Sequence, residues 1–225
     1  GLGTLVMFLG VGGEGAALAV ATFLIVHAFY KAGLFLGVGT IEKIVGTRDL
    51  RRLPDLRGHL PILVTALIAL AASMGGLPPL LAYAAKEAGL VALVADGSTA
   101  VLLLAVVAGT GLSLAAAVRL VLALVRPPEI DGVPPYGGVT LPRRRLVGLG
   151  FATVTLALAS LVFGLAAPLA TALVVPAAEA LAAGAEEYHL TLWAGFDLPL
   201  WISLAGITAG GLLAAFGAAT RAWPE

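Results

Sequence analysis

In the stretch "IVHAFYKAGLFLGVG" (residues 25–39), the imidazole of His27 and the amine of Lys31 stand four residues apart inside an otherwise apolar run. On a helix that spacing puts both on one face, about one turn apart. An imidazole titrates near neutrality without any perturbation, and an amine removed from bulk water exchanges its proton more readily. Proton relay is the chemistry such a pair offers. The plainer alternative, a histidine satisfied by a nearby backbone carbonyl, explains His27 and leaves Lys31 unexplained.

A further cation, Lys86, lies in "LAYAAKEAGL", about two turns beyond "GGLPP" (residues 75–79). Glu87 follows it directly. Neighbours in sequence project about 100° apart on a helix, so the two are not an ion pair by default; Glu87 is expected to serve a different helix or to face the outer solvent. Arg119 lies two turns before Arg126 on nearly the same face. Its guanidinium does not release its proton readily, so it reads as a fixed charge tuning the lysines or as an anchor reaching the headgroups.

The elements that carry these residues belong in a bilayer. The chain is 60% hydrophobic and 12% charged, with a mean hydropathy of +1.04, whereas a soluble domain is about a quarter charged. It has no cysteine, which excludes disulfides and thiolate metal sites. A net charge of +0 offers no basic surface for nucleic acid. Apolar runs at 16–40, 99–125, 146–175 and 198–220 each fit one crossing of about 20 residues. The run 60–95 is too long for one straight helix and is interrupted at Pro78 and Pro79, which leave upstream carbonyls without donors. Lipid tolerates such a break only where protein or a watery cavity surrounds it, so it points towards an ion pathway. The opening "GLGTLVMFLG" has no basic n-region and reads as the end of a helix, the chain then being a fragment of a longer membrane protein.

The charges orient the spans. Lys43, Arg48, Arg51, Arg52 and Arg57 fall in 41–60, and Arg126, Arg143, Arg144 and Arg145 in 126–145, with Arg221 near the C-terminus. The connections 11–15, 96–98 and 176–197 hold no lysine or arginine, although they carry Glu14, Asp96, Glu179, Glu186, Glu187 and Asp197. Basic loops stay cytoplasmic, so 41–60 and 126–145 are expected inside and 176–197 outside. This pattern requires 60–95 to cross once as a broken helix rather than return as a re-entrant hairpin. The segment "TRDLRRLPDLR" (47–57) is expected to lie amphipathically along the inner interface, capped by Thr47. Glycine- and alanine-rich stretches such as "AGITAGG" (205–211) read as helix-packing surfaces. There is no P-loop and no GxGxxG after a strand. The buried acids amount to Glu87, too few for a hard-cation site, so no metal and no cofactor is expected.

"HAFYKAGLFLGVG", "GTRDLRRLPDLR" and "GLPPLLAYAAKEAGL", in this order and spacing, resemble the second half of the antiporter-like membrane subunits shared by respiratory complex I and the Mrp-type cation/proton antiporters. "AAAVRLVLALV" is similar to the helix that follows, and "YHLTLWAGFDLPLWISL" (188–204) resembles a segment of the Mrp A subunit. By motif match, the resemblance implies His27, Lys31 and Lys86 as proton-translocating residues. Many complex I relatives carry a second histidine one turn before the motif histidine; here that place is Phe23. The family's earlier half, with its glutamate–lysine pair, is missing from this chain.

The expectation is therefore an all-α polytopic transmembrane bundle with one discontinuous helix and an interfacial amphipathic segment. Residues 1–126 would be the second half of an antiporter core, and 127–225 would add two further spans, 146–175 and 198–220. The resemblance implies a component of a multi-subunit Na⁺ or K⁺/proton antiporter in a prokaryotic cell membrane. Its partners would be other membrane subunits, the lipid bilayer, protons and the cation. The rivals are a purely structural scaffold and a proton-pumping complex I subunit.

Overall fold

Backbone placed in lipid must satisfy its own N–H and C=O groups, and long apolar runs do so as helices. The computed structural model describes residues 1–47, 49–97, 100–126, 143–184, 190 and 195–220, and among them it contains helices and no strand. Arg48, the connection 127–142, residues 188, 189 and 191–194 of the segment resembling the Mrp A subunit, Arg221 and the side chains of Arg143, Arg144 and Arg145 lie outside the described residues.

The helices are α1 (Leu2–Val11), α2 (Gly13–Val45), α3 (Pro61–Met74), α4 (Leu81–Ala95), α5 (Ala100–Val125), α6 (Arg143–Leu165), α7 (Ala167–Glu179) and α8 (Leu198–Thr220). By length and composition α2, α5 and α8 each suffice to cross a membrane. Large apolar side chains such as Ile62, Val101, Phe151 and Leu212 face outward, the surface a bilayer solvates. Inside, small residues let backbones approach: α5 and α8 meet where Gly206 and Gly210 sit against Thr110 and Gly111. A Cβ at Gly210 would come within 2.8 Å of the Gly111 carbonyl oxygen. The glycine-rich stretch 205–211 is thus a packing face.

The interruption between α3 and α4 falls where "GGLPP" placed it. Gly76 adopts φ 71° and ends α3 as a left-handed cap: its N–H donates to Ser73 O, and the Leu77 N–H donates to Ala72 O. This Schellman arrangement satisfies carbonyls that the prolines would otherwise leave open. The two halves touch each other little, packing instead against α2, α5, α6 and α8. They also lead from one end of the bundle to the other. The Leu56 N–H donates to Leu124 O at 3.2 Å, which puts the loop before α3 beside the C-terminal end of α5. Because α5 begins directly after α4, residues 61–95 together cross once.

Two expectations are corrected. Residues 146–175 are not one helix, because α6 and α7 meet at Ala166 with a bend of 101°. Pro168 explains it: a proline in the first turn supplies no N–H to continue the α6 ladder and restricts the residue before it. From that bend α7 runs on to Glu179 and packs on α2. The 47–57 segment is amphipathic as expected, but Thr47 is not its cap. It forms one 3-10 turn, Leu50–Arg52, capped by Asp49, whose carboxylate accepts from the Arg51 N–H, while Thr47 Oγ1 only receives the Asp49 N–H. Pro54 holds Leu53 in extended backbone (φ −73°, ψ 129°) and stops the turn. Leu53 and Leu56 are buried while Arg51, Arg52 and Arg57 stay exposed, so the segment hangs under the bundle by its leucines.

The bend and the break touch. A Cβ at Gly164 would overlap the Pro79 carbonyl oxygen and the backbone of Leu80 and Leu81, and nearby the Ser73 and Ser160 hydroxyls hydrogen-bond at 3.0 Å. Gly164→Ala should therefore force α6 off the break and lower stability by about 1–3 kcal/mol, the usual range for overpacking. Gly39→Ala, with open space around it, should be neutral or slightly stabilising. Thermal melting of the detergent-solubilised full-length protein checks both.

In the loop, side-chain hydrogen bonds from Arg57 hold the Asp55 carboxyl at about 2, and those from Arg51 hold Asp49 below its ordinary range. A carboxyl depressed in the folded state stabilises above its unfolded value of about 4 and loses that contribution as pH falls towards about 2. Amide exchange in 49–57, corrected for its intrinsic rate, should stay constant from about pH 7 to about pH 4 and rise only below. A rise already at about pH 6 would contradict the pairing.

Candidate functional site

The break makes room for Lys86. Its side chain is only 5% exposed, and its Nζ has no hydrogen-bond partner among the described residues. Gly76 faces it so closely that a Cβ there would stand 3.1 Å from the amine. The Tyr83 ring, one turn back along α4, lies 5.7 Å away. The amine lines a cavity of about 30 Å³ together with Tyr30, Ser73, Thr110 and Ser113. About 10–15 Å³ is enough for one water, and these hydroxyls supply partners for it. A discontinuous helix, a glycine and three neighbouring helices thus hold one amine beside a small polar space.

His27 reaches the same space indirectly. Its Nδ1 lies 2.6 Å from Tyr30 Oη, and the two rings meet edge to face with centroids 5.0 Å apart. Tyr30 is 3% exposed and lines the Lys86 cavity. It is the residue that sequence inspection passed over. A signal existed: a tyrosine inside an apolar helix needs a partner for its hydroxyl, and the histidine three residues earlier was in reach. Phe23 stacks on His27 at 6.3 Å and meets Phe8 edge-on at 6.0 Å, so the position one turn before His27 is taken up by aromatic packing at the edge of the cavity.

Lys31 does not join that seam. One step past Tyr30 turns the helix surface by about 100°, and Lys31 falls on the exposed face of α2 with its Nζ 5.8 Å from the ring centroid of Phe35, itself 73% exposed. The expectation that Lys31 is sheltered with His27 is corrected within this chain: α2 packs through Tyr30, Gly33 and Gly37, where a Cβ at Gly33 would run into Leu70, and that leaves Lys31 outward. Arg119 is half-buried on α5 beyond Ser113 and is not among the residues lining the cavity.

Glu87 turns away from Lys86, as its position predicted. It is 4% exposed and accepts a 2.6 Å hydrogen bond from Ser203 Oγ of α8. It also lines a separate cleft of about 360 Å³ between the α1–α2 junction and α4, with Glu14 and Asp96 exposed near it. No cluster of three or more metal-ligating side chains occurs among the described residues.

The family model described as NADH:quinone oxidoreductase/Mrp antiporter, TM, matches residues 1–113, half of the chain. The chain belongs to this family. Beyond residue 113 the likeness continues. The A/B subunit of a probable K(+)/H(+) antiporter of Rhizobium meliloti (strain 1021) is 30% identical over 218 residues, covering 93% of this chain and 21% of the relative. The A subunit of the Na(+)/H(+) antiporter of Bacillus subtilis (strain 168) is 45% identical over 64 residues, 28% of this chain and 8% of that protein. Among solved structures, a chain of the Mrp complex from Dietzia sp. DQ12-45-1b matches with a TM-score of 0.74 and 28% identity, over 96% of this chain and 23% of that chain. The chain therefore spans about a fifth of the length of the relatives it matches from end to end. Family, helical fold and membrane setting agree with what its motifs implied.

Losing the Ser203 hydroxyl would take one of two side-chain donors from the Glu87 carboxylate, the other being Tyr83. Ser203→Ala should cost about 1.5–3 kcal/mol, the usual worth of a hydrogen bond to a charged group, and Ser203→Thr should restore most of it. Melting temperatures of the two variants of the full-length protein give the comparison.

Proposed function

We propose that this chain is part of one component of a multi-subunit monovalent cation/proton antiporter, exchanging Na⁺ or K⁺ for protons across a prokaryotic cell membrane. Residues 1–126 form the second half of its antiporter core, and the helices after residue 127 follow that core. His27 and Lys86 carry protons, and the observation supporting this is the buried Lys86 amine, without a hydrogen-bond partner among the described residues, at a small hydroxyl-bearing cavity whose lining includes Tyr30, the partner of His27. Lys31 contributes from the exposed side of α2. A cation at mid-membrane costs about 2.5–3.5 kcal/mol on insertion scales, so we place a neighbouring helix of the assembled complex over it. Charge on one amine changes the proton affinity of the next, because Coulomb interactions are strong where water is scarce.

The sides of the membrane follow from the basic residues. Loop 46–60 and the end of α5 share one end of the bundle and carry Arg51, Arg52, Arg57 and Arg126, which makes that end cytoplasmic. At the other end Gly184 lies against the Glu14 carboxylate, consistent with an outer face for 176–197. A proton-pumping component of a quinone oxidoreductase is the neighbouring possibility within the family. The extension of similarity beyond residue 113, over 93% of the chain, to a relative named as an antiporter favours the antiporter.

In the complete complex, Lys86→Ala and His27→Ala should each lower cation-driven proton movement in inverted vesicles at least tenfold while all subunits still co-purify. Lys31→Ala should lower it as well. A scaffold would instead lose co-purification, and variants that assemble and transport normally would refute the relay.

A further inference from the structure

We infer that the Tyr30 hydroxyl is the hand-over point between His27 and Lys86. This rests on the proton-relay reading above and goes beyond it by naming a route. His27 is not among the residues lining the Lys86 cavity, and Lys31 points away from it. Tyr30 touches both sides: Oη sits 2.6 Å from His27 Nδ1, and the side chain lines the cavity onto which the Lys86 amine opens. The groups facing Tyr30 leave few alternatives. Phe23 from its own helix packs against His27, Gly1 lies against the His27 and Tyr30 side chains without a side chain of its own, and Thr4 of α1, Ser73 of α3 and Thr110 and Ser113 of α5 supply neutral hydroxyls around the cavity. None of these four hydroxyls is bonded to His27 among the described residues.

The step balances without any co-reactant. Protonated His27 donates its Nδ1 proton to Tyr30 Oη as the phenol O–H passes its own proton to a water in the cavity. That water in turn gives a proton to the neutral Lys86 amine. The imidazole ends neutral, the phenol is restored with its hydrogen on the other side, the water is unchanged, and Lys86 has become an ammonium. A cavity of about 30 Å³ accommodates one or two waters, which is what a single bridge requires. Before the next transfer the phenol hydrogen must swing back, so a second proton cannot follow along the same chain until the hydroxyl has turned. Tyr30 is thus a one-proton-at-a-time valve as well as a link.

The test uses the full-length protein in its assembled complex. Tyr30→Phe keeps the ring and removes only the hydroxyl; it should lower maximal antiport at least tenfold, leave the half-saturating cation concentration unchanged, and leave assembly intact. Fluorinated tyrosines at position 30 keep shape and hydroxyl but differ in acidity. Turnover should change in step with that acidity, as proton donation demands, whereas a packing role leaves the series flat. Lys86→Ala is measured alongside. If Lys86→Ala is inactive and Tyr30→Phe is normal, the Tyr30 route is wrong and the relay stands. If both are normal, the relay itself fails and the route with it. If Tyr30→Phe does not assemble, the fluorotyrosine series decides: graded turnover supports the route, and flat turnover overturns it.

Discussion

A helix that stops at membrane depth must close its hydrogen-bond ladder inside protein, and the α3–α4 break is where the rest of this structure meets that demand. Gly76 turns left-handed and ties off the last carbonyls of α3. The same absence of a side chain leaves space for the Lys86 amine. Ser160 and Gly164 of α6 press on the break from one side. On the other side, α5 presents Thr110 and Ser113 to the cavity, and Leu114 packs on Gly75. Backbone satisfaction, the burial of a cation and a small polar space are thus one arrangement seen three ways.

The break also separates two environments along α4. Lys86 opens towards the polar space below Tyr30, whereas Glu87, one residue later, belongs to α8 through Ser203 and to a larger cleft near Glu14 and Asp96. Adjacent residues project about 100° apart, so Glu87 bonds Ser203 while the Lys86 amine has no hydrogen-bond partner among the described residues. A lysine neutralised by an ion pair would be poorly placed to exchange protons. Putting the carboxylate round the corner preserves its availability.

Much of this was legible in the sequence because bilayers constrain so strongly. Run lengths gave α2, α5 and α8, the prolines at 78–79 gave the break, and the sorting of arginines gave a single crossing for 61–95. What escaped depended on tertiary contact. Pro168 was visible, but one proline near the start of a helical turn is compatible with either a kink or a stop. Only the packing of α7 on α2 makes it a bend of 101°. In 47–57 the pattern of arginines and leucines read correctly as amphipathic, but the cap is Asp49 rather than Thr47, on a single turn that Pro54 ends. For the site, the four-residue spacing of His27 and Lys31 suggested one shared face. Tyr30 at three residues competes for the same histidine, and the small residues Gly33 and Gly37 decided which flank of α2 was buried.

The contact between Gly164 and the Pro79 carbonyl makes α6 a lever with its fulcrum at the break. From residue 164 back to residue 143 the helix rises about 1.5 Å per residue, so a tilt of about 5° at the fulcrum moves its far end by about 3 Å. Any rearrangement that shifts the Lys86-bearing half of the broken helix must either unseat that contact or carry the whole rod with it. Events in the middle of the bilayer and the arginine-rich end of α6 are mechanically joined through one side-chain-free position.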